Sequence, residues 1–280
     1  MRIASNLMSY CIPRFIFFLL FGCLWAEVAM YHTKMGSAEV IVLSLAKRDI
    51  NTSILLPQTD EEKEIIYQYR MPFNEHNIVL VKAPNYHLLV DTGFASTTAV
   101  LQSALREVGL QFSDITHILI THGHGDHIGA ILNEKGESNF PNATLMIDKK
   151  EYDFWTASTN DTARKAFESF GKRRIFIEHN INLFPQSTLQ ISTSPAYGHT
   201  PGHVVVKFAY KDDTFLFFAD LLHHFAVQTH APWISTTYDH DGALAARTRT
   251  RLLQEYKREK IPVVGTHVPF VQPIVLGEDE

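Results

Sequence analysis

Apolar residues in this chain fall into short runs separated by polar turns, and several of the runs lead straight into histidine-containing loops. Short runs bounded by turn residues are strand-like. Residues 39–46 (EVIVLSLA) predict a first strand. Residues 77–83 (NIVLVKA) and 87–90 (HLLV) predict two more, split by the turn formers Pro84 and Asn85 and closed by Asp91-Thr92-Gly93. Between the first strand and these two, residues 51–69 are polar and carry the charge run from Asp60 to Glu64, which reads as a solvated loop or helix face. Over residues 97–108 the spacing changes to Leu101, Ala104, Leu105 and Val108, one apolar stripe on a helix. Residues 115–120 (ITHILI) return to strand character and run directly into THGHGDHIG.

The second half repeats this alternation. Residues 143–147, 189–192, 204–210, 214–219 and 262–264 predict strands. Residues 149–155 and 162–170 predict helices, and Asp241-Gly242 starts another that carries Leu244, Leu252, Leu253 and Tyr256. No linker-like stretch and no repeat of solenoid period breaks the pattern. It predicts one layered α/β domain over residues 36–280, with helices outside two sheets.

Composition adds limits on partners and compartment. Apolar residues at 45% and charged residues at 20% suit a chain that buries a core, and exclude disorder. Of 25 basic residues only Arg2 and Arg14 lie in the first 26, which leaves 23 against 30 acidic, a net of −7. A negative body disfavours a phosphate-tracking surface, so nucleic acid is not an expected partner. Both cysteines, Cys11 and Cys23, also lie in that first segment, so no thiol ligand or disulfide is available beyond it. Arg2 and Arg14 precede the apolar run FIFFLLFGCLW at 15–25, the form of an export signal. The run falls short of the roughly 20 residues that span a bilayer. Residues 1–26 are therefore expected to be a signal peptide and the protein exported, whether periplasmic, membrane-anchored or secreted. Leu20-Phe21-Gly22-Cys23 loosely resembles a lipoprotein cleavage box, with Phe21 bulkier than that position takes, and such a box would add membrane attachment through Cys23.

The candidate chemistry is concentrated in residues 121–129 (THGHGDHIG). His122 and His124 stand two apart at a strand end, so their side chains leave on the same side. Gly123 and Gly125 let the backbone turn sharply, after which Asp126 and His127 can face a second centre. Imidazoles and carboxylates are the donors that zinc and similar metals select. A loop whose histidines merely cap a helix is the plain alternative, but four ligand-type residues within six positions outweigh it.

This run resembles the HxHxDH signature of the metallo-β-lactamase superfamily, and further family elements appear in order. Residues 197–203 (YGHTPGH) are similar to the GHTPGH element of lactonase-like members, Phe218-Ala219-Asp220 to the strand end that carries a bridging aspartate, and Gly265-Thr266-His267 to the last ligand. The resemblance implies an αββα sandwich and two divalent metal ions, with zinc expected. One ion would take His122, His124 and His199, the other Asp126, His127 and His267, and Asp220 with a water or hydroxide would bridge them. It implies a position outside the ligand sphere for His203, and for Asp91 in VDTG a hydrogen bond to the ligand loop.

The resemblance implies a hydrolase of small molecules, in which a metal-bridged hydroxide attacks a lactone, aryl ester or phosphotriester. Asp126, Asp220 and His223 are the expected catalytic residues. The methyl parathion hydrolase and lactonase-like branch is the most similar. His223 occupies the position three after the bridging aspartate, where acyl homoserine lactonases have a leaving-group tyrosine. Phe154 and Trp155 are expected to line the substrate pocket, whereas His224, His230 and His240 are expected to be exposed or structural. A thioesterase-like hydrolase and an iron-dependent oxidoreductase of the same fold remain alternatives. Nothing in the sequence sets the oligomeric state.

Overall fold

A strand covered on both faces needs apolar side chains at every position, and Val40 to Leu43 and Ile78 to Val81 supply them, all fully buried. The computed structural model describes residues 28–277; the export segment expected over 1–26, with Cys23, lies outside the described residues. In chain order the strands are β1 (Met30–Met35), β2 (Ala38–Asp49), β3 (Leu55–Leu56), β4 (Phe73–Ala83), β5 (Tyr86–Val90), β6 (His117–Ile120), β7 (Thr144–Ile147), β8 (Arg174–Phe176), β9 (Gln190–Pro195), β10 (Val204–Tyr210), β11 (Asp213–Phe217), β12 (Ser235–Thr236), β13 (Pro262–Val264) and β14 (Ile274–Val275). The helices are α1 (Asp60–Gln68), α2 (Thr98–Glu107), α3 (Gly125–Ile128), α4 (Lys149–Ala157), α5 (Asp161–Glu168), α6 (Phe225–His230) and α7 (Gly242–Glu259).

Seven strands form one sheet in the order β1-β2-β4-β5-β6-β7-β8, and five form a second in the order β14-β13-β11-β10-β9. Alternate side chains of the first sheet serve two cores. Val40, Val42, Val79, Val81 and Val90 pack with Ile191, Val206, Phe208 and Phe217 of the second sheet. Ile41, Leu43, Ile78, Leu80 and Ile118 face the other way, onto Leu101 and Leu105 of α2 and Phe167 of α5. Leu252, Leu253 and Tyr256 of α7 join the inter-sheet cluster. The result is the expected αββα sandwich in a single domain.

The sheet begins at Met30, ahead of the boundary expected at residue 36, because β1 pairs antiparallel with β2 from Met30 to Met35. As an edge strand of alternating burial, β1 lacks the continuous apolar run that marks β2. Strand β8, helix α6 and the β3/β12 ribbon are also absent from the periodicity, each being too short to show one. The ribbon joins a third small cluster, in which Leu55, Val227, Ala231 and Ile234 pack with Ile65 and Tyr69. Among the described residues no helix is long and apolar enough to cross a membrane.

Candidate metal centre

Ligand-type side chains from both sheets meet at one end of the sandwich. Thr121 and His122 follow β6, and Asp126 and His127 ride on α3, a single helical turn. His199 follows β9, Asp220 sits in a tight turn after β11, and His267 follows β13. Backbone bonds tie these loops across the sheets: Val204 N–H donates to Thr121 O (3.1 Å) and Asn77 N–H to Thr266 O (3.0 Å).

Two donor clusters result, His122/His124/His199/Asp220 and Asp126/His127/Asp220/His267. In the first, His199 Nε2 lies 3.1 Å from His122 Nε2 and 3.0 Å from His124 Nδ1, and those two nitrogens are 3.1 Å apart. Asp220 Oδ2 stands 3.7 Å from His122 Nε2 and 3.6 Å from His199 Nε2. In the second, His127 Nε2 is 3.1 Å from Asp220 Oδ1, and His267 Nε2 is 3.2 Å from both Asp126 Oδ2 and Asp220 Oδ2. Asp220 therefore belongs to both clusters.

The electrostatics fit cations. Burial, reinforced by His127, holds His122 well below the ordinary imidazole value. Burial does the same to His199 and brings His124 down to about 4, so this cluster offers neutral lone pairs. Burial also opposes charge on His127, but Asp220, Asp126 and Asp91 outweigh it and raise its pKa. Burial opposes charge on His267 as well, but Asp220 and Asp126 outweigh it and raise it to about 9. The same carboxylates that favour positive charge on these rings would favour a metal ion there. The buried atoms His127 Nε2 and Asp220 Oδ1 have no hydrogen-bond partner of good geometry, as expected of atoms aimed at an ion.

Surrounding groups set the ligand orientations. Asp91 Oδ2 accepts from His127 Nδ1 (2.8 Å) and from the Thr121 hydroxyl (2.7 Å), while Oδ1 accepts from Thr121 N–H (2.8 Å). Asp91 holds φ at +64°, a costly conformation for a residue with a Cβ. Asp239 Oδ1 accepts from His199 Nδ1 (3.0 Å), leaving Nε2 for the cluster, and Arg249 backs it from 3.2 Å. His203 donates from Nδ1 to Ala196 O (3.0 Å) and accepts Asp220 N–H at Nε2 (3.3 Å), which keeps it out of both clusters.

A cavity of about 470 Å³ opens over the site, walled by Ile50, Ile54, Phe94 and Tyr238. His223 lines it, with Nε2 3.2 Å from Asp220 Oδ2 and its ring stacked on His267. Phe154 and Trp155, expected in the pocket, are not among its lining residues. Helix α4 turns Trp155 onto the back of the ligand loop, where its ring closes on Gly123 and its indole donates to Glu151. Phe154 packs on Trp155 and His240 instead. His224 is buried at the start of α6, and His230 and His240 are exposed. Sequence reasoning missed Glu151, Asp239 and Arg249, which act through contacts distant in the chain. It also missed His76, fully inside the protein with Nε2 3.4 Å from Asp126 Oδ2.

Residues 71–266 match the family model described as the metallo-beta-lactamase superfamily. An N-acyl homoserine lactonase, AttM of Azorhizobium caulinodans, is 27% identical over 168 residues, 49% of this chain and 59% of that protein. The probable metallo-hydrolase YflN of Bacillus subtilis is 25% identical over 158 residues, 50% of this chain and 56% of its own length. The chain thus spans little more than half the length of these two curated relatives. In three dimensions it is similar to the dizinc quorum-quenching lactonase AidC, solved with a product (TM-score 0.78, 24% identity, 88% of this chain and 92% of that one). It is also similar to AbOPH, a hydrolase in the beta lactamase superfamily (TM-score 0.74, 22% identity, 88% and 92%).

Proposed function

The chain belongs to the metallo-beta-lactamase superfamily, and from that premise we propose that it is a dinuclear, metal-dependent hydrolase of neutral lactones or aryl esters, with weaker action on phosphotriesters. The observation that carries the reading is Asp220, shared between two donor clusters whose other members are complete. His122, His124 and His199 would hold one divalent ion and Asp126, His127 and His267 the other, with zinc favoured by the nitrogen-rich donors. Such ions supply Lewis acidity towards a carbonyl or phosphoryl oxygen and bring a water molecule's pKa near neutrality.

The chain's own groups supply selection. Ile50, Ile54, Phe94 and the Tyr238 ring suit an apolar acyl or aryl group. The net negative charge disfavours polyanionic substrates. His223, beside Asp220 in the cavity, is placed to donate a hydrogen bond to the departing alkoxide or phenoxide. Being similar to a lactonase over half the chain supports the lactone end of this range.

The test is a panel of lactones, aryl esters, phosphotriesters, thioesters and β-lactams offered to zinc-reconstituted protein. Lactone or aryl ester turnover should lead, with little on β-lactams, and His223→Phe should slow poor leaving groups far more than p-nitrophenolate. Absence of turnover on every lactone and ester would sink the reading. Equal slowing of both leaving groups would remove His223 from the departure step.

A further inference from the structure

Both histidine loops of the first cluster are fastened to one carboxylate. Glu151, in the first turn of α4, has no solvent exposure. Its Oε1 accepts from Gly123 N–H (2.8 Å), between the ligands His122 and His124, and from the Trp155 indole. Its Oε2 accepts from Gly202 N–H (2.8 Å) and from the Thr200 hydroxyl (2.7 Å), just beyond the ligand His199. All four donors are neutral, and among the described residues no ion pair offsets the desolvation of this carboxylate, which is an expensive way to hold a loop. Packing reinforces the grip. A Cβ on Gly202 would collide with the Glu151 backbone, and one on Gly123 with the Trp155 ring. The second cluster has its own anchor in Asp91, which holds the ring of His127 and reaches the first loop only through Thr121, at the start of that loop.

We propose that Glu151 is a positioning residue that sets the spacing of His122, His124 and His199, independently of Asp126, His127 and His267. The carboxylate has an acceptor for each loop, one oxygen facing residues 121–124 and the other facing 199–203. A glutamine of the same shape keeps one acceptor and turns an NH2 group towards the other pair of donors. Glu151→Gln should therefore release one of the two ligand loops while leaving the helix and its packing in place. The inference rests on the two-ion reading, and its test separates the two.

Full-length wild type, Glu151→Gln and Thr200→Val are loaded with zinc, dialysed against graded chelator and assayed for retained metal. Cobalt-loaded samples are followed in parallel by visible absorption. Glu151→Gln should release one equivalent at a chelator concentration about 10–100-fold below wild type, with the other released where wild type releases it. Its cobalt spectrum should change, and Thr200→Val should shift the same equivalent by less. Wild-type release and spectrum in Glu151→Gln would overturn the proposal, as would equal loosening of both equivalents. Should Glu151→Gln fail to fold, Thr200→Val decides, and an unshifted release overturns the proposal. A wild type that holds a single equivalent defeats the two-ion reading instead, and Glu151 then stands or falls on whether its variant weakens that ion.

Discussion

His199 and His203 stand four residues apart in one loop, are both buried imidazoles, and do different work. His199 turns Nε2 into the first cluster because Asp239 accepts a hydrogen bond from Nδ1–H. His203 spends both ring nitrogens on backbone, one on Ala196 O and one on Asp220 N–H, and so steadies the shared carboxylate from behind. Replacement should separate them. His199→Ala removes a donor and is expected to abolish turnover with loss of one metal equivalent. His203→Ala should keep both equivalents and lose about 10–100-fold in kcat, the usual range for a group that orients a ligand. Steady-state kinetics with elemental analysis on both variants checks this, and equal severity would reverse the assignment within GHTPGH.

Between residues and fold stand the loops that hold ligands against helices. Gly198 has φ +129°, where side chains are rarely tolerated, and a Cβ there would run into the backbone of Ala245 in α7. The loop also binds the entry to that helix, through Asp241 N–H to Gly198 O (2.9 Å) and His240 N–H to His199 O (2.9 Å). Gly198→Ala should cost about 1–3 kcal/mol in backbone strain, lowering Tm by roughly 2–12 °C. Gly125→Ala, with open space around its Cβ, should melt near wild type, and a scan of both variants with metal removed tells the effects apart. Elements and ligands of this kind differ in how far sequence reveals them. Strands β10 and β13 coincide with their predicted spans because burial demands apolar side chains along them, broken in β10 only at the exposed Lys207. The candidate donors in residues 122–127 are legible because they are local, with chemistry and spacing in one phrase. Glu151 is not legible, because its partners Thr200 and Gly202 lie 49 and 51 positions away and an acid in a helix reads as solvated. Phe154 and Trp155 show a related limit: helical spacing says that a side chain is buried, but not whether it meets a cavity or the back of a loop.

At the scale of the whole molecule, the two sheets divide the candidate metal donors between them. His122, His124, Asp126 and His127 follow a strand of the first sheet, while His199, Asp220 and His267 follow strands of the second. Each donor cluster contains members from both, so an ion at either place fastens one sheet to the other at the open end of the sandwich. The sheets are also joined by an apolar core that holds no ligand, including Val42, Val81, Val206, Phe208 and Phe217. Removing metal should therefore loosen the molecule without unfolding it. Binding to the native state alone stabilises by about 2.7 kcal/mol at a free ion concentration a hundred times Kd, or roughly 5–11 °C in Tm at this size. Chelated protein should keep its far-ultraviolet circular dichroism and melt lower by at least that amount, and zinc should restore the original transition. Calorimetry with and without chelator is the measurement. An unchanged Tm would mean that no ion spans the sheets, while loss of the dichroism on chelation would mean that the apolar core cannot hold them together unaided.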